Sequence, residues 1–216
     1  MKVDPFWSTP VWEVHLPFDE DFNENLLKEL HSIGSDIAYG IDNKPHDSLW
    51  DYDKPCLNQL KRTMLAHVTA VLESNFPDVK SMNLKFESNM CWPNINEPGE
   101  SLEVHAHTDA TIAATYFVKT PNNCGDLIVF SPTEGINWSK GTLSEDKQLR
   151  VRRIMPNAGK LVFFPSYALH CVEENKSDNL RVSITCDFKY IVDKHADNAL
   201  VLKSWAGKMV KVCSES

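Results

Sequence analysis

The sequence predicts a mainly β domain, an antiparallel sandwich or barrel braced by helices at its amino end. From about Ser81 the chain consists of short segments with period-two alternation or compact apolar runs, separated by Asn, Pro and Gly clusters. No helical pattern interrupts these segments, which argues against an alternating α/β sheet. The predicted strands are Met82–Trp92, Leu102–His107, Thr111–Lys119, Asp126–Phe130, Arg150–Met155, Lys160–Phe164, His170–Glu173 and Arg181–Tyr190.

Two helices are predicted before the strands. The first follows Asp21 and Asn23, either of which can cap a helix start, and it closes at Gly40. The second follows Pro55 and ends before Pro77. Apolar residues at helical spacing mark one face of each helix: Leu26, Leu30, Ile33 and Ile37 in the first, and Leu57, Leu60, Met64, Val68 and Val71 in the second. We expect both helices to pack against the sheet.

The pattern divides the chain into three parts of a single domain over residues 1–216. Residues 1–80 are expected to form a helical amino-terminal support, and residues 81–191 the β core. Residues 192–216 form a carboxy-terminal extension whose signal is ambiguous, so its structure is left open.

Composition narrows the classes of partner. The 216 residues are 42% hydrophobic, enough for a sizeable core, and the net charge of −8 argues against binding to nucleic acid or anionic lipid. The longest apolar runs fall short of the roughly 20 residues of a membrane-spanning helix. Asp4 and Pro5 stand where a secretory signal would be apolar. We therefore expect a cytoplasmic protein with a small-molecule partner. The composition does not fix the oligomeric state, and a homodimer remains open.

The densest chemical signal lies in residues 103–109. In an extended chain, residues two apart share a face, so His105, His107 and Asp109 can point the same way. A further ligand is expected from His170, which opens a later strand. Two histidines and one carboxylate form the facial triad of non-heme iron(II) oxygenases, which leaves coordination positions open.

Arg181 and Ser183 add an anion-binding element eleven residues beyond His170. On a strand these two residues face the same way, and they offer a planar fork of donors and a hydroxyl suited to one end of a dicarboxylate. An arginine that faces the interior of a small barrel needs an anionic partner. A cosubstrate carboxylate would serve.

The order of these motifs resembles the 2-oxoglutarate and iron(II)-dependent oxygenase superfamily. The order is H-x-D, then a strand at residues 159–165, then His170 and Arg-x-Ser. Residues 6–12, residues 91–94 and the His-x-His before residues 113–118 resemble, more narrowly, small 2-oxoglutarate oxygenases of bacteria and phages. The resemblance implies a double-stranded β-helix core, which is a jelly-roll of cupin-like form.

The resemblance also implies a chemistry. Iron(II) would be held by His107, Asp109 and His170, with 2-oxoglutarate on Arg181 and Ser183 and with O2 as the oxidant. The expected activity is that of a dioxygenase that hydroxylates a C–H bond of a small molecule, an amino acid or a related metabolite.

A second ligand set competes with the first. It consists of His105, His107 and His170, and Asp109 would then contact a ligand instead of the metal. We prefer the set with Asp109, because the acid restores the common triad and lowers the net charge of the site.

Further residues are candidates for supporting roles. The Tyr116 hydroxyl can form a hydrogen bond with the cosubstrate, although an aromatic residue on a strand is more often part of the core. The long polar segment 131–148 is a candidate lid. Candidate substrate contacts are Trp92, Asn94, His105 and Trp138.

Two other functions compete with small-molecule oxidation. One is peptidyl hydroxylation of the prolyl type, and the other is a non-catalytic cupin-like protein that binds a metal or ligand. The pair Arg181 and Ser183 discriminates against the second, which has no need of it. Nucleic-acid demethylation ranks last because the chain is acidic.

Overall fold

The fold is mainly β, and the predicted fold class is confirmed. The computed structural model describes residues 9–33, 48–75, 84–132, 151–192, 201–203 and 209–211. Its strands are β1 (Trp12–His15), β2 (Leu84–Asn96), β3 (Leu102–His105), β4 (Ile112–Lys119), β5 (Leu127–Phe130), β6 (Val151–Ile154), β7 (Lys160–Pro165), β8 (His170–Val172), β9 (Arg181–Val192), β10 (Val201–Lys203) and β11 (Met209–Lys211). Each of the eight predicted strands has a counterpart from β2 to β9, with ends that differ by up to four residues.

The helices lie where the periodicity places them. They are α1 (Phe22–Ile33) and α2 (Pro55–Asn75), and a short 3-10 turn over Leu49–Asp51 precedes α2. The carboxylate of Glu29 on α1 accepts hydrogen bonds from the backbone N–H groups of Cys56 and Leu57 at the start of α2. These bonds tie the two helices together. The predicted markers Ile37, Gly40 and Pro77 lie outside the described residues. In the part of the chain that the structure describes, no helix is long and apolar enough to cross a membrane.

Two antiparallel sheets form the core. The five-stranded sheet has the order β1-β7-β4-β9-β2, and the four-stranded sheet has the order β3-β8-β5-β6. The helices cover one face of the five-stranded sheet with an apolar layer that we call the helix-side core. The other face packs on the four-stranded sheet through a second apolar cluster, the inter-sheet core.

Strand β9 contributes to both of these interiors. Its residues Val182, Ile184, Cys186 and Phe188 belong to the helix-side core. The alternate residues are polar and buried, and we call them the polar row: Arg181, Ser183, Thr185 and Asp187. Because side chains alternate along a strand, the polar row faces away from the helices. It runs along the interior that holds the candidate site.

Candidate active site

Three histidines converge at one end of this interior. His105 at the end of β3 lies directly opposite His170 at the start of β8, and His107 follows two residues later. One ring nitrogen from each histidine lies within 4.8 Å of the other two. The ring centroids of His105 and His170 are 4.2 Å apart. We call these three residues the histidine cluster.

Each ring of the histidine cluster has its Nδ1 next to an oxygen. The partners are the backbone carbonyl of Glu103 for His105 (2.8 Å), the backbone carbonyl of Ala168 for His170 (2.9 Å) and the carboxylate of Asp187 for His107 (2.5 Å). A carbonyl or carboxylate oxygen only accepts, so in each neutral ring Nδ1 carries the hydrogen. Nε2 is then the nitrogen with a free lone pair, and all three rings are prepared as metal ligands.

Burial keeps two of these rings neutral. Burial is the largest cause that lowers the pKa of His170 to about 3, and the neighbouring His105 and His107 contribute to the same shift. Burial also lowers the pKa of His105, although the hydrogen bond to the Glu103 carbonyl opposes this shift. A metal ion requires unprotonated imidazole, so near neutral pH both rings are in the binding form.

The backbone around His107 is fixed by the turn that follows β7. The His107 N–H donates to the carbonyl of Ser166 at 3.0 Å. The Ser166 hydroxyl donates to the carbonyl of Ala110 at 2.6 Å, and its N–H donates to the carbonyl of Thr111 at 3.1 Å. The segment carrying His107 is therefore held on the same framework as His170.

Asp109 is not part of the histidine cluster in this structure. Strand β3 ends at His105, and residues 108–109 form a turn in which Asp109 is exposed. The prediction that His105, His107 and Asp109 share a face assumed an extended chain through all three. The turn ends that alternation, and the structure brings together the second of the two ligand sets considered above.

A buried guanidinium lies at the start of the polar row. Arg181 is 1% exposed, and within the described part of the chain its Nε and one terminal nitrogen have no hydrogen-bond partner. The other terminal nitrogen donates to Asn96 at 3.1 Å and to the Ser183 hydroxyl at 3.3 Å. Among the described residues no carboxylate forms an ion pair with Arg181, and the nearby Cys124 thiol only partly offsets the lowering of its pKa by burial. A buried cation with two free donors is suited to an anion.

Polar side chains connect the guanidinium to the histidine cluster. Asn94 on β2 donates to the Thr185 hydroxyl at 2.7 Å, and the Thr115 hydroxyl lies 3.4 Å from that of Thr185. The last member of the polar row, Asp187, contacts His107. The predicted residues Asn94 and Ser183 are therefore in the same interior as the histidines.

The remaining predicted residues fall in three places. Trp92 is half-buried, and its ring centroid lies 5.5 Å from that of His107. Tyr116 belongs to the helix-side core, where its hydroxyl donates to Asn23 at 2.7 Å, so the structure does not bring it to Arg181. Trp138 and most of the segment 131–148 lie outside the described residues.

The residues present fit a ferrous ion and an organic anion. Three imidazole nitrogens are a donor set that iron(II) accepts. The Nε and one terminal nitrogen of Arg181 are free donors, and a carboxylate would accept a hydrogen bond from each of them. Fold and site together define a class, jelly-roll proteins with a metal-competent interior site.

Comparison with known proteins narrows this class. Residues 90–187 match the model of the family described as "Putative 2OG-Fe(II) oxygenase", and this span contains the histidine cluster and the polar row. A comparison with curated proteins finds no match.

Solved structures of similar fold include a hydroxylase and a protein that binds 2-oxoglutarate. A prolyl-4-hydroxylase from Pseudomonas putida is 18% identical, with a TM-score of 0.54 over 84% of this chain and 86% of that one. AviO1 from Streptomyces viridochromogenes is 13% identical, with a TM-score of 0.59 over 89% and 94%. HygX from Streptomyces hygroscopicus, solved with nickel and 2-oxoglutarate bound, is 10% identical, with a TM-score of 0.56 over 84% and 82%. At these identities the likeness is one of fold.

Residues 90–187 are thus similar to the 2-oxoglutarate- and iron(II)-dependent oxygenases, and the chain shares its fold with the solved structures above. The resemblance noted in the sequence is thereby confirmed. The family match and the histidine cluster also support iron(II) and 2-oxoglutarate as the expected cofactor and cosubstrate.

Proposed function

We propose that this protein is a dioxygenase that hydroxylates a C–H bond of a small molecule, an amino acid or a related metabolite. The observation that carries the proposal is the presence, in one interior, of the histidine cluster and of a buried guanidinium with two free donors. A cupin that only bound a metal would carry the cost of this buried cation without a use for it. The proposal keeps the predicted cytoplasmic location and the predicted absence of nucleic-acid and membrane partners.

The metal ligands in this proposal are His105, His107 and His170. The support for this set is that every Nδ1 is engaged by an oxygen, which leaves three Nε2 atoms for one ion. Asp109, which the sequence favoured as a ligand, is exposed in a turn.

The chain's own residues bind and orient the cosubstrate. The free Nε and terminal nitrogen of Arg181 would donate to one carboxylate of 2-oxoglutarate, and the Ser183 hydroxyl stands beside them. The bound iron would supply the oxygen chemistry that couples decarboxylation of 2-oxoglutarate to oxidation of the substrate. The Phe164 ring, 4.9 Å from that of His170, helps to keep water from the site.

The recessed position of the site favours a small substrate. His170 is buried, and the side chain of His107 is only 7% exposed. The reacting carbon must therefore enter the space between the sheets. A free amino acid or a single side chain fits this requirement better than the middle of a polymer.

The test is succinate formation from 2-oxoglutarate by protein reconstituted anaerobically with iron(II) and then exposed to O2. Pools of free amino acids, related metabolites and proline-containing peptides would be screened. We expect one small-molecule pool to raise the rate, and we expect His170→Ala to abolish both the activity and iron binding. Asp178→Asn changes an exposed acid outside the histidine cluster, so it is the matched control and should behave like the wild type.

The other outcomes separate the alternatives. Stimulation by proline-containing peptides alone would replace the small-molecule proposal with peptidyl hydroxylation. Tight iron binding with no succinate from any pool would favour a non-catalytic binding protein. Unchanged iron binding by His170→Ala would overturn the ligand set itself.

A further inference from the structure

One hydrogen bond of the histidine cluster differs in kind from the other two. His105 and His170 contact neutral backbone carbonyls, whereas His107 contacts the carboxylate of Asp187 at 2.5 Å. The side chains of His107 and Asp187 are 7% and 11% exposed. A charge-assisted hydrogen bond in such surroundings is stronger than a bond between neutral groups. Asp187 therefore holds its histidine more firmly than the carbonyls hold theirs.

The charge of the ligand set gives this bond a second role. Three neutral imidazoles bring no negative charge to a dication, whereas two histidines and a carboxylate bring one. In the described part of the chain, His107 is the basic group that pairs with the buried carboxylate of Asp187. The three ligands lack a negative charge, and Asp187, which contacts the ligand His107, provides one.

The backbone at Asp187 is also built to hold this position. Strand β2 carries a bulge between Ser88 and Met90, and Met90 is the register partner of Asp187. The Ser88 hydroxyl lies 3.2 Å from the Asp187 carbonyl, and it accepts a hydrogen bond from the Trp50 indole at 2.6 Å. Bulges next to active sites commonly re-aim a side chain.

We propose that Asp187 is a positioning residue for the metal centre, which fixes the Nε2 of His107 as the metal-facing nitrogen and supplies the negative charge that three imidazoles lack. This inference rests on the proposed ligand set. It is specific to one histidine of the three, because the other two are oriented by neutral backbone. Groups behind metal-ligating histidines typically change metal affinity by about 10- to 100-fold when they are removed.

The experiment is a titration of the metal-free protein with Co(II), a spectroscopic substitute for iron. Asp187→Asn keeps the shape and an acceptor oxygen but loses the charge, and we expect affinity to fall about 10-fold. Asp187→Ala loses both, and we expect a fall of about 100-fold. Asp178→Asn removes the same charge at an exposed position and should leave the affinity unchanged.

A second readout separates positioning from a general structural role. The Co(II) protein should show three exchangeable, paramagnetically shifted proton signals in its NMR spectrum, one from each Nδ1–H. Asp187→Asn should shift or broaden one of them, from His107, and leave the other two in place. Because Asn is close to isosteric with Asp, this variant keeps the test decisive even if Asp187→Ala fails to fold.

The two levels of the inference fail in different ways. If the wild type binds Co(II) no more tightly than His170→Ala, the proposed metal centre itself is wrong. If the wild type binds and His170→Ala does not, but Asp187→Asn retains full affinity and all three unshifted signals, only the role of Asp187 is overturned. A loss of affinity without a selective change in one signal would also overturn it.

Discussion

Alternate residues of β9 enter two different interiors, and the contrast between them separates stability from chemistry. On one side, Ile184, Cys186 and their neighbours pack among apolar residues beneath the helices. On the other side, the polar row is also buried but consists of groups that need partners. Burying a polar group costs free energy unless it is hydrogen-bonded. The helix-side core therefore stabilises the fold, and the polar row uses part of that stability to hold a site.

The largest effect on folding is expected on the helix side. Ile184 is fully buried, so Ile184→Ala should lower the free energy of unfolding by about 2–5 kcal/mol through lost contacts and a cavity. Affinity for Co(II) should stay close to that of the wild type at low temperature, where the variant remains folded. Urea unfolding and metal titration measure the two quantities. Ile184→Val is the graded control, with an expected loss of about 0.5–1.5 kcal/mol.

In the polar row, Arg181→Met should have the opposite effects: it should weaken the binding of 2-oxoglutarate without lowering the free energy of unfolding. Truncating one partner of a buried charge pair costs about 2–5 kcal/mol, so 2-oxoglutarate should bind roughly 100-fold more weakly to the metal-loaded protein. The cosubstrate-free protein should be as stable as the wild type or more stable, because the variant removes an uncompensated buried charge.

Calorimetry and thermal unfolding measure the two effects of Arg181→Met. Arg152→Met is the matched control, since that side chain is 64% exposed and its ion pair with Glu13 contributes little. A variant that lost stability yet bound 2-oxoglutarate normally would show that Arg181 belongs to the structural side of the comparison.

The smallest effect is expected within the polar row itself. Thr185→Val removes the acceptor of the 2.7 Å hydrogen bond from Asn94 and leaves that amide unsatisfied, at a cost of about 1–3 kcal/mol in unfolding free energy. Thr185→Ser should restore most of the loss. A double-mutant cycle with Asn94→Ala measures the coupling, and strictly additive effects would mean that the two side chains do not depend on each other.

The β core was predictable because its strands are separated by strong turn signals. β1 was missed, since it has four residues and is defined by its pairing with β7 rather than by its own pattern. β4 shows why alternation is an incomplete guide. Its residues from Ile112 to Val118 are all buried, so the sequence could not show that Tyr116 faces the helices while Phe117 faces the other sheet.

The candidate site was predictable only in part, because alternation is an incomplete guide there too. His105, His107, His170 and Arg181 could be singled out by residue type, but period-two reasoning was carried past the point where β3 ends, and it included Asp109. Asp187 was missed because its partner His107 lies 80 residues away in the chain. The signal is present in β9, where polar residues recur at every second position from Arg181 to Asp187, but only the first two of them entered the prediction.

The pairing of His105 with His170 also has a mechanical consequence. β3 is the outermost strand of its sheet, is four residues long and has β8 as its neighbour there. Two of the proposed ligands sit on these two strands, directly across from each other. An ion bound by both would act as a cross-link that clamps the outer strand to the rest of the sheet, and chelation would release the clamp. In such an arrangement, loading the metal would also strengthen the edge of the sheet.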